Sequence, residues 1–133
     1  MTAAELKQRT KEFTLRVMRL IAALPDSPTS RAFANQLIRS ASSVGANYRA
    51  VCRARSRKDF INKLGIVIEE ADESAYWLEL IAEGELLKAA LVKPLIAEAN
   101  ELVSILTASK ITAERTLAAE KKHARSKRED RSS

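Results

Sequence analysis

The stretch Phe33-Ala34-Asn35-Gln36-Leu37-Ile38-Arg39-Ser40-Ala41-Ser42-Ser43-Val44-Gly45-Ala46-Asn47-Tyr48-Arg49-Ala50-Val51 decides the fold. Its large apolar residues recur at three- and four-residue steps. On an ideal helix Phe33, Leu37, Ala41, Val44, Tyr48 and Val51 fall within about 80° of one another. That is one apolar stripe on one helix, with no strand-like alternation. Upstream, Thr29 or Ser30 is the expected N-cap. Pro25-Asp26-Ser27-Pro28 ends the preceding segment, because proline cannot continue a helix.

Working outward, the same period appears three more times. From about Thr2 to Leu24, the residues Leu6, Phe13, Val17, Leu20, Ile21 and Leu24 form a second stripe. Ser56 with Asp59 reads as a capping box that opens a third helix, with Phe60, Leu64, Val67, Ile68, Ala71, Ala75 and Leu78 inward and Gly84 as its C′ residue. A fourth helix starts at Lys88 or Pro94 and runs to Ala118, turning Leu91, Leu95, Leu102, Ile105 and Leu106 inward. Pro94 either sits in its first turn or kinks it. The chain has 133 residues with only three Gly and three Pro, too little turn chemistry for a many-stranded architecture. The expected fold is all-α, an antiparallel up-down-up-down four-helix bundle over residues 1–118. No apolar run reaches the roughly 20 residues of a membrane span and no signal-peptide pattern opens the chain, so the expected location is the cytoplasm.

Charge is placed unevenly. Twenty-three Lys and Arg against seventeen Asp and Glu give +6. Between Asp26 and Asp59 stand Arg31, Arg39, Arg49, Arg53, Arg55, Arg57 and Lys58 with no acidic residue. Between Lys63 and Lys88 stand Glu69, Glu70, Asp72, Glu73, Glu79, Glu83 and Glu85 with no basic one. Residues 119–133 add Lys121, Lys122, Arg125, Lys127, Arg128 and Arg131, lack large apolar side chains, and read as a disordered basic tail.

The blocks Gln36-Leu37-Ile38-Arg39-Ser40-Ala41-Ser42-Ser43-Val44-Gly45-Ala46-Asn47-Tyr48-Arg49, Ser56-Arg57-Lys58-Asp59-Phe60-Ile61-Asn62-Lys63-Leu64 and Glu70-Ala71-Asp72-Glu73-Ser74-Ala75-Tyr76-Trp77-Leu78-Glu79-Leu80 occur in that order. Together they closely resemble the bacterial four-helix-bundle protein family whose founders are encoded by intervening sequences inside large-subunit ribosomal RNA genes. The resemblance covers about Leu6 to Leu106. It implies a small bundle that assembles into a homo-oligomeric ring, taken as a pentamer. It also implies a distant similarity to the accessory protein of diversity-generating retroelements, which works beside a reverse transcriptase. It implies no enzymatic reaction. Two positions depart from the family pattern: Ala50 stands where a glutamate is usual, and Glu69 where a lysine is common. If the two positions face each other, an ion pair is missing both of its ends.

Catalysis needs convergent groups, and the residues supply no such set. The lone His123 falls in the charged tail. The lone Cys52 lies about 60° off the helix 2 stripe and reads as a semi-buried structural thiol, with activation by neighbouring arginines as the alternative. Glu69, Glu70 and Glu73 read as a solvated acidic face. Gly45, Gly65 and Gly84 are too far apart for a phosphate loop. No metal, cofactor or catalytic residue is expected. Asn47, at the flank of the stripe, is expected to bond to a neighbouring helix or set the bundle register.

Two surfaces remain. Arg31, Arg39, Arg49, Arg53 and Arg57 cluster within about 80° on helix 2, opposite the core stripe, as a ridge able to track phosphates. With Lys121, Lys122 and Arg125 of the tail they are the expected contacts for RNA or DNA, structured RNA foremost. The same ridge also reads as a solvated helix face. Ile66, Glu69, Glu73, Trp77 and Leu80 form a mixed apolar and acidic strip on helix 3. The strip is the expected oligomer interface, with Trp77 as its anchor. The competing function is a protein-interaction scaffold, for example an accessory subunit to a reverse transcriptase.

Overall fold

The computed structural model describes residues 1–132 and consists of four helices: α1 (Ala3–Ala22), α2 (Pro28–Val51), α3 (Arg57–Glu83) and α4 (Ala89–Ser132). Among the described residues there is no strand. Capping sets the starts. Thr2 accepts the Glu5 N–H at 3.1 Å while the Glu5 carboxylate accepts the Thr2 N–H at 3.0 Å, a reciprocal box for α1. Ser56 accepts the Asp59 N–H at 3.0 Å, but the Asp59 carboxylate turns to the Arg55 N–H, one residue before the cap. The α2 cap is Ser27, with Pro28 as the first helical residue, rather than Thr29 or Ser30. A proline at that position lacks only an N–H that would have had no helical partner, so Pro28 opens α2 instead of closing α1.

Consecutive helices run antiparallel. Thr14 donates to the Ala41 carbonyl at 2.9 Å, and a Cβ on Gly45 would lie 3.5 Å from the Thr10 carbonyl, so α1 and α2 approach closely in opposite directions. Ser74 donates to Ser40 at 2.9 Å while the rings of Phe33 and Trp77 meet edge-on at 5.6 Å, which opposes α3 to α2. Arg57 pairs with Glu120, and Gly65 lies against Lys110, which opposes α4 to α3. The bidentate pair of Arg9 with Glu98, at 2.7 and 2.8 Å, ties α4 back to α1. The Glu98 and Glu101 carboxylates hold the Arg9 guanidinium firmly protonated.

One core lies along the axis, filled by Phe13, Val17, Leu37, Val44, Leu64, Val67, Leu78, Leu102 and Leu106 among others. Phe60, Ile68 and Ile105 sit at its margin, half-buried. Leu91, expected inside, is 57% exposed, and Val92 takes the buried place. The inward step on α4 runs Val92, Leu95, Ala99, Leu102, Leu106, Ala113, which leaves Leu91 one residue off the seam. Pro94 sits within α4 without ending it.

The expected disordered tail is helix. Residues 119–132 continue α4 and are exposed throughout. After Pro94 the chain has no Gly or Pro, and Ala, Glu, Lys and Arg dominate its end, all strong helix formers. Since Glu120 is level with the first residue of α3, the remainder of α4 projects past the bundle by about 18 Å at 1.5 Å per residue. The pole it leaves from also carries the start of α1 and the α2–α3 turn.

Candidate nucleic-acid interface

The expected ridge does not lie on one helix, because α2 ends at Val51: Arg31, Arg39 and Arg49 stand on α2, Arg53 in the turn and Arg57 at the head of α3, and by their partners the five divide into two groups. Arg31 pairs with Asp26 at 2.5 Å. Arg39 reaches across to α3, to Glu70 at 3.5 Å and to Glu73. Glu73 also accepts the Trp77 indole N–H at 3.1 Å, and these two contacts, Arg39 first, hold its carboxyl below the usual glutamate range. Arg57 pairs with Glu120 at 2.8 Å, which keeps its guanidinium protonated. These three are engaged within the chain. Arg49 and Arg53 are exposed and, among the described residues, paired with no carboxylate.

Arg49 and Arg53 border a hollow of about 700 Å³ between the end of α2 and the start of α3, together with Arg55, Lys63 and Asp59. Asp59 is the one carboxylate among the residues that border it. Lys63 bonds it at 2.5 Å and the Arg55 N–H at 3.1 Å, and this pair of donors, Lys63 first, lowers its pKa. Ala50 lines the same hollow. The glutamate expected from the family resemblance would have stood beside Lys63. With Ala50 there, Asp59 remains the one carboxylate among the residues that border the hollow. The α2–α3 register, with Ser40 against Ser74 and Arg39 against Glu70 and Glu73, sets Ala50 beside Lys63 and well along the bundle from position 69, so positions 50 and 69 do not face each other.

A second groove, of about 600 Å³, runs between α1 and α2 and contains Lys7, Lys11 and Arg49 over a floor that includes Thr14, Ser42 and Gly45. Arg49 and Ala46 belong to both hollows, so they form one track. The two α1 lysines were not foreseen. Their four-residue spacing places them on one face, but only the antiparallel pairing of α1 with α2 carries that face to Arg49.

Residues 3–108 match the 23S rRNA-intervening sequence protein family. The chain belongs to that family. The structure is similar to the crystal structure of a protein of unknown function from the S23 ribosomal protein family, from Bacteroides thetaiotaomicron. The two share 33% sequence identity and a TM-score of 0.74, over 79% of this chain and 97% of that one. No curated protein matches the chain. The family match ends at residue 108, well inside α4, so the projecting end of that helix lies outside it.

Asn47 donates to the Ser43 carbonyl at 2.8 Å within α2, so it back-bonds to its own helix rather than to a neighbour. Cys52, the C-cap residue of α2, is exposed, not semi-buried. Of the α3 strip, Ile66 and Glu69 are exposed and Leu80 half-buried. Trp77 is half-buried against the core, between Phe33 and the exposed Tyr76. Lys121, Lys122, His123 and Arg125 are exposed on the projecting helix. Among the described residues no three His, Cys, Asp or Glu side chains are grouped to hold a metal ion, and no helix is long and apolar enough to cross a membrane.

Proposed function

We propose that this family member is a non-enzymatic nucleic-acid-binding bundle that grips phosphates along the track from Lys7 and Lys11 through Arg49 to Arg53 and Arg55, with structured RNA as its ligand class. The observation that carries the reading is that Arg49, which borders both cationic hollows, and Arg53, which borders the first, have no carboxylate partner among the described residues, where the other three arginines of the expected ridge are engaged. Guanidinium groups bind phosphate bidentately, and an unpaired one gives up no internal ion pair to do so. The family's name adds ribosomal RNA as a source of structured RNA. The test is a salt titration of RNA binding. A double change, Arg49→Ala with Arg53→Ala, lowers the dependence of log affinity on log salt by about 2, at about 0.9 for each phosphate no longer neutralised. Arg31→Ala leaves it unchanged. Equal slopes for the double variant and the unmodified chain overturn the reading.

A second reading, assembly of copies into a ring through the α3 strip, is favoured by Ile66 and Tyr76, which are 46% and 53% exposed beside an acidic surface. Because Trp77 also packs on the core, Tyr76→Ala with Ile66→Asp is the cleaner probe. A mass by light scattering that does not fall ends this reading.

A further inference from the structure

The projecting end of α4 is the one extended structure that the family match leaves unaccounted for. Three observations bear on it. First, it leaves the bundle at the pole that holds Arg53, Arg55 and Lys58, since Arg57 at the head of α3 pairs with Glu120. Second, its basic residues are ordered. At about 100° per residue Lys121, Arg125 and Arg128 fall within about 60° of one another, on the side that carries Leu117. Leu117 and Lys121 border a hollow with Lys58, Ile61 and Asn62 of α3, and Arg125 and Arg128 border the next hollow along with Glu129 and Ser132. The side that seats α4 on α3 therefore becomes a cationic stripe where α4 runs past the start of α3. Third, no Phe, Tyr or Trp follows Trp77 in the sequence. Near this pole Tyr48 is buried and Phe60 half-buried, so among the described residues the pole has no exposed ring of these types on which unpaired bases can stack.

We infer that residues 119–132 are an arm that lies along a phosphodiester double helix held at the same pole, with Lys121, Arg125 and Arg128 on phosphates of its backbone. The inference rests on the proposed nucleic-acid binding and narrows it to a double-helical ligand and a second contact. A preformed straight helix with one charged side suits the regular phosphate spacing of a duplex. Its overhang of about 18 Å passes roughly five phosphates of one strand at 3.4 Å each. Binding to single strands draws on aromatic stacking, which this pole lacks.

The test uses the full chain and a variant carrying Lys121→Ala, Arg125→Ala and Arg128→Ala. These exposed positions accept alanine within a helix, and circular dichroism checks that helix content is kept. Each protein is titrated, across salt concentrations, with a 20-base-pair RNA duplex, the DNA duplex of the same sequence, and one RNA strand alone. The expected result is tighter binding of a duplex than of the strand and a salt slope reduced by about 2.7 in the variant. The RNA and DNA arms tell which duplex geometry the pole accepts. An unchanged slope in the variant overturns the arm while leaving the α1–α2 track standing. Equal affinity for strand and duplex overturns the double-helical ligand. Absence of binding by the unmodified chain at low salt overturns both this inference and the function on which it rests.

Discussion

Ser30 has a side-chain hydroxyl with no hydrogen-bond partner among the described residues, although the residue is only 2% exposed. Its backbone N–H is satisfied by Ser27 at 3.1 Å, so the side chain contributes nothing to the cap. A buried unsatisfied hydroxyl is destabilising, and Ser30→Ala is expected to raise unfolding free energy by about 1 kcal/mol in chemical denaturation, whereas Ser27→Ala lowers it by about as much. Tyr48 is another buried polar side chain with a measurable consequence. Burial, then the neighbouring Cys52 thiol, pushes its hydroxyl up from 10.0 to about 12. Between those two values the unfolded chain releases the proton while the folded chain keeps it, so stability falls as pH rises through that window. Denaturation midpoints measured from pH 9 to 12 should show this decline, and Tyr48→Phe should remove its part of it.

The end of α3 shows how an element stops where its composition gives a partly misleading sign. Gly84 marks the stop in the sequence, but its φ is −79°, and Glu85 is the residue in the left-handed region, at φ 59°. The N–H of Leu86 bonds to the Ile81 carbonyl and that of Glu85 to the Ala82 carbonyl, the paired bonds of a Schellman end. Glycine is needed at 84 for a different reason: an added Cβ would lie 2.8 Å from the Leu80 carbonyl oxygen. Glu85→Gly should therefore stabilise the protein by about 1 kcal/mol and Gly84→Ala destabilise it by at least as much, read from thermal unfolding midpoints. The helix starts teach the same lesson. Ser56 was legible as a cap because its partner Asp59 follows at the right spacing, whereas Ser27 was hidden behind a proline that reads as a terminator until its place at the first helical position is known.

At the scale of the molecule, the four-helix architecture was open to the sequence because each apolar stripe is long and each connection short. The candidate site was legible only in part. A wheel drawn through Arg57 treats five arginines as one helix face, but α2 ends at Val51, so Arg53 falls in the turn and Arg57 heads α3, and Asp26, Glu73 and Glu120 from other places in the chain engage three of the five. Those pairings depend on register between helices, as does the approach of Lys7 and Lys11 to Arg49. The end of α4 was misread for another reason. Its want of large apolar residues argues against packing, which is right, since residues 119–132 are exposed, but intrinsic propensity suffices to continue a helix whose nucleus the bundle already supplies. Such an end has no apolar core beneath it to keep it closed, and local opening there requires little free energy. Trypsin, which cuts after Lys and Arg, should therefore trim the chain at Lys121, Lys122, Arg125, Lys127 and Arg128 long before it reaches the interior, leaving a resistant fragment whose mass marks where burial begins.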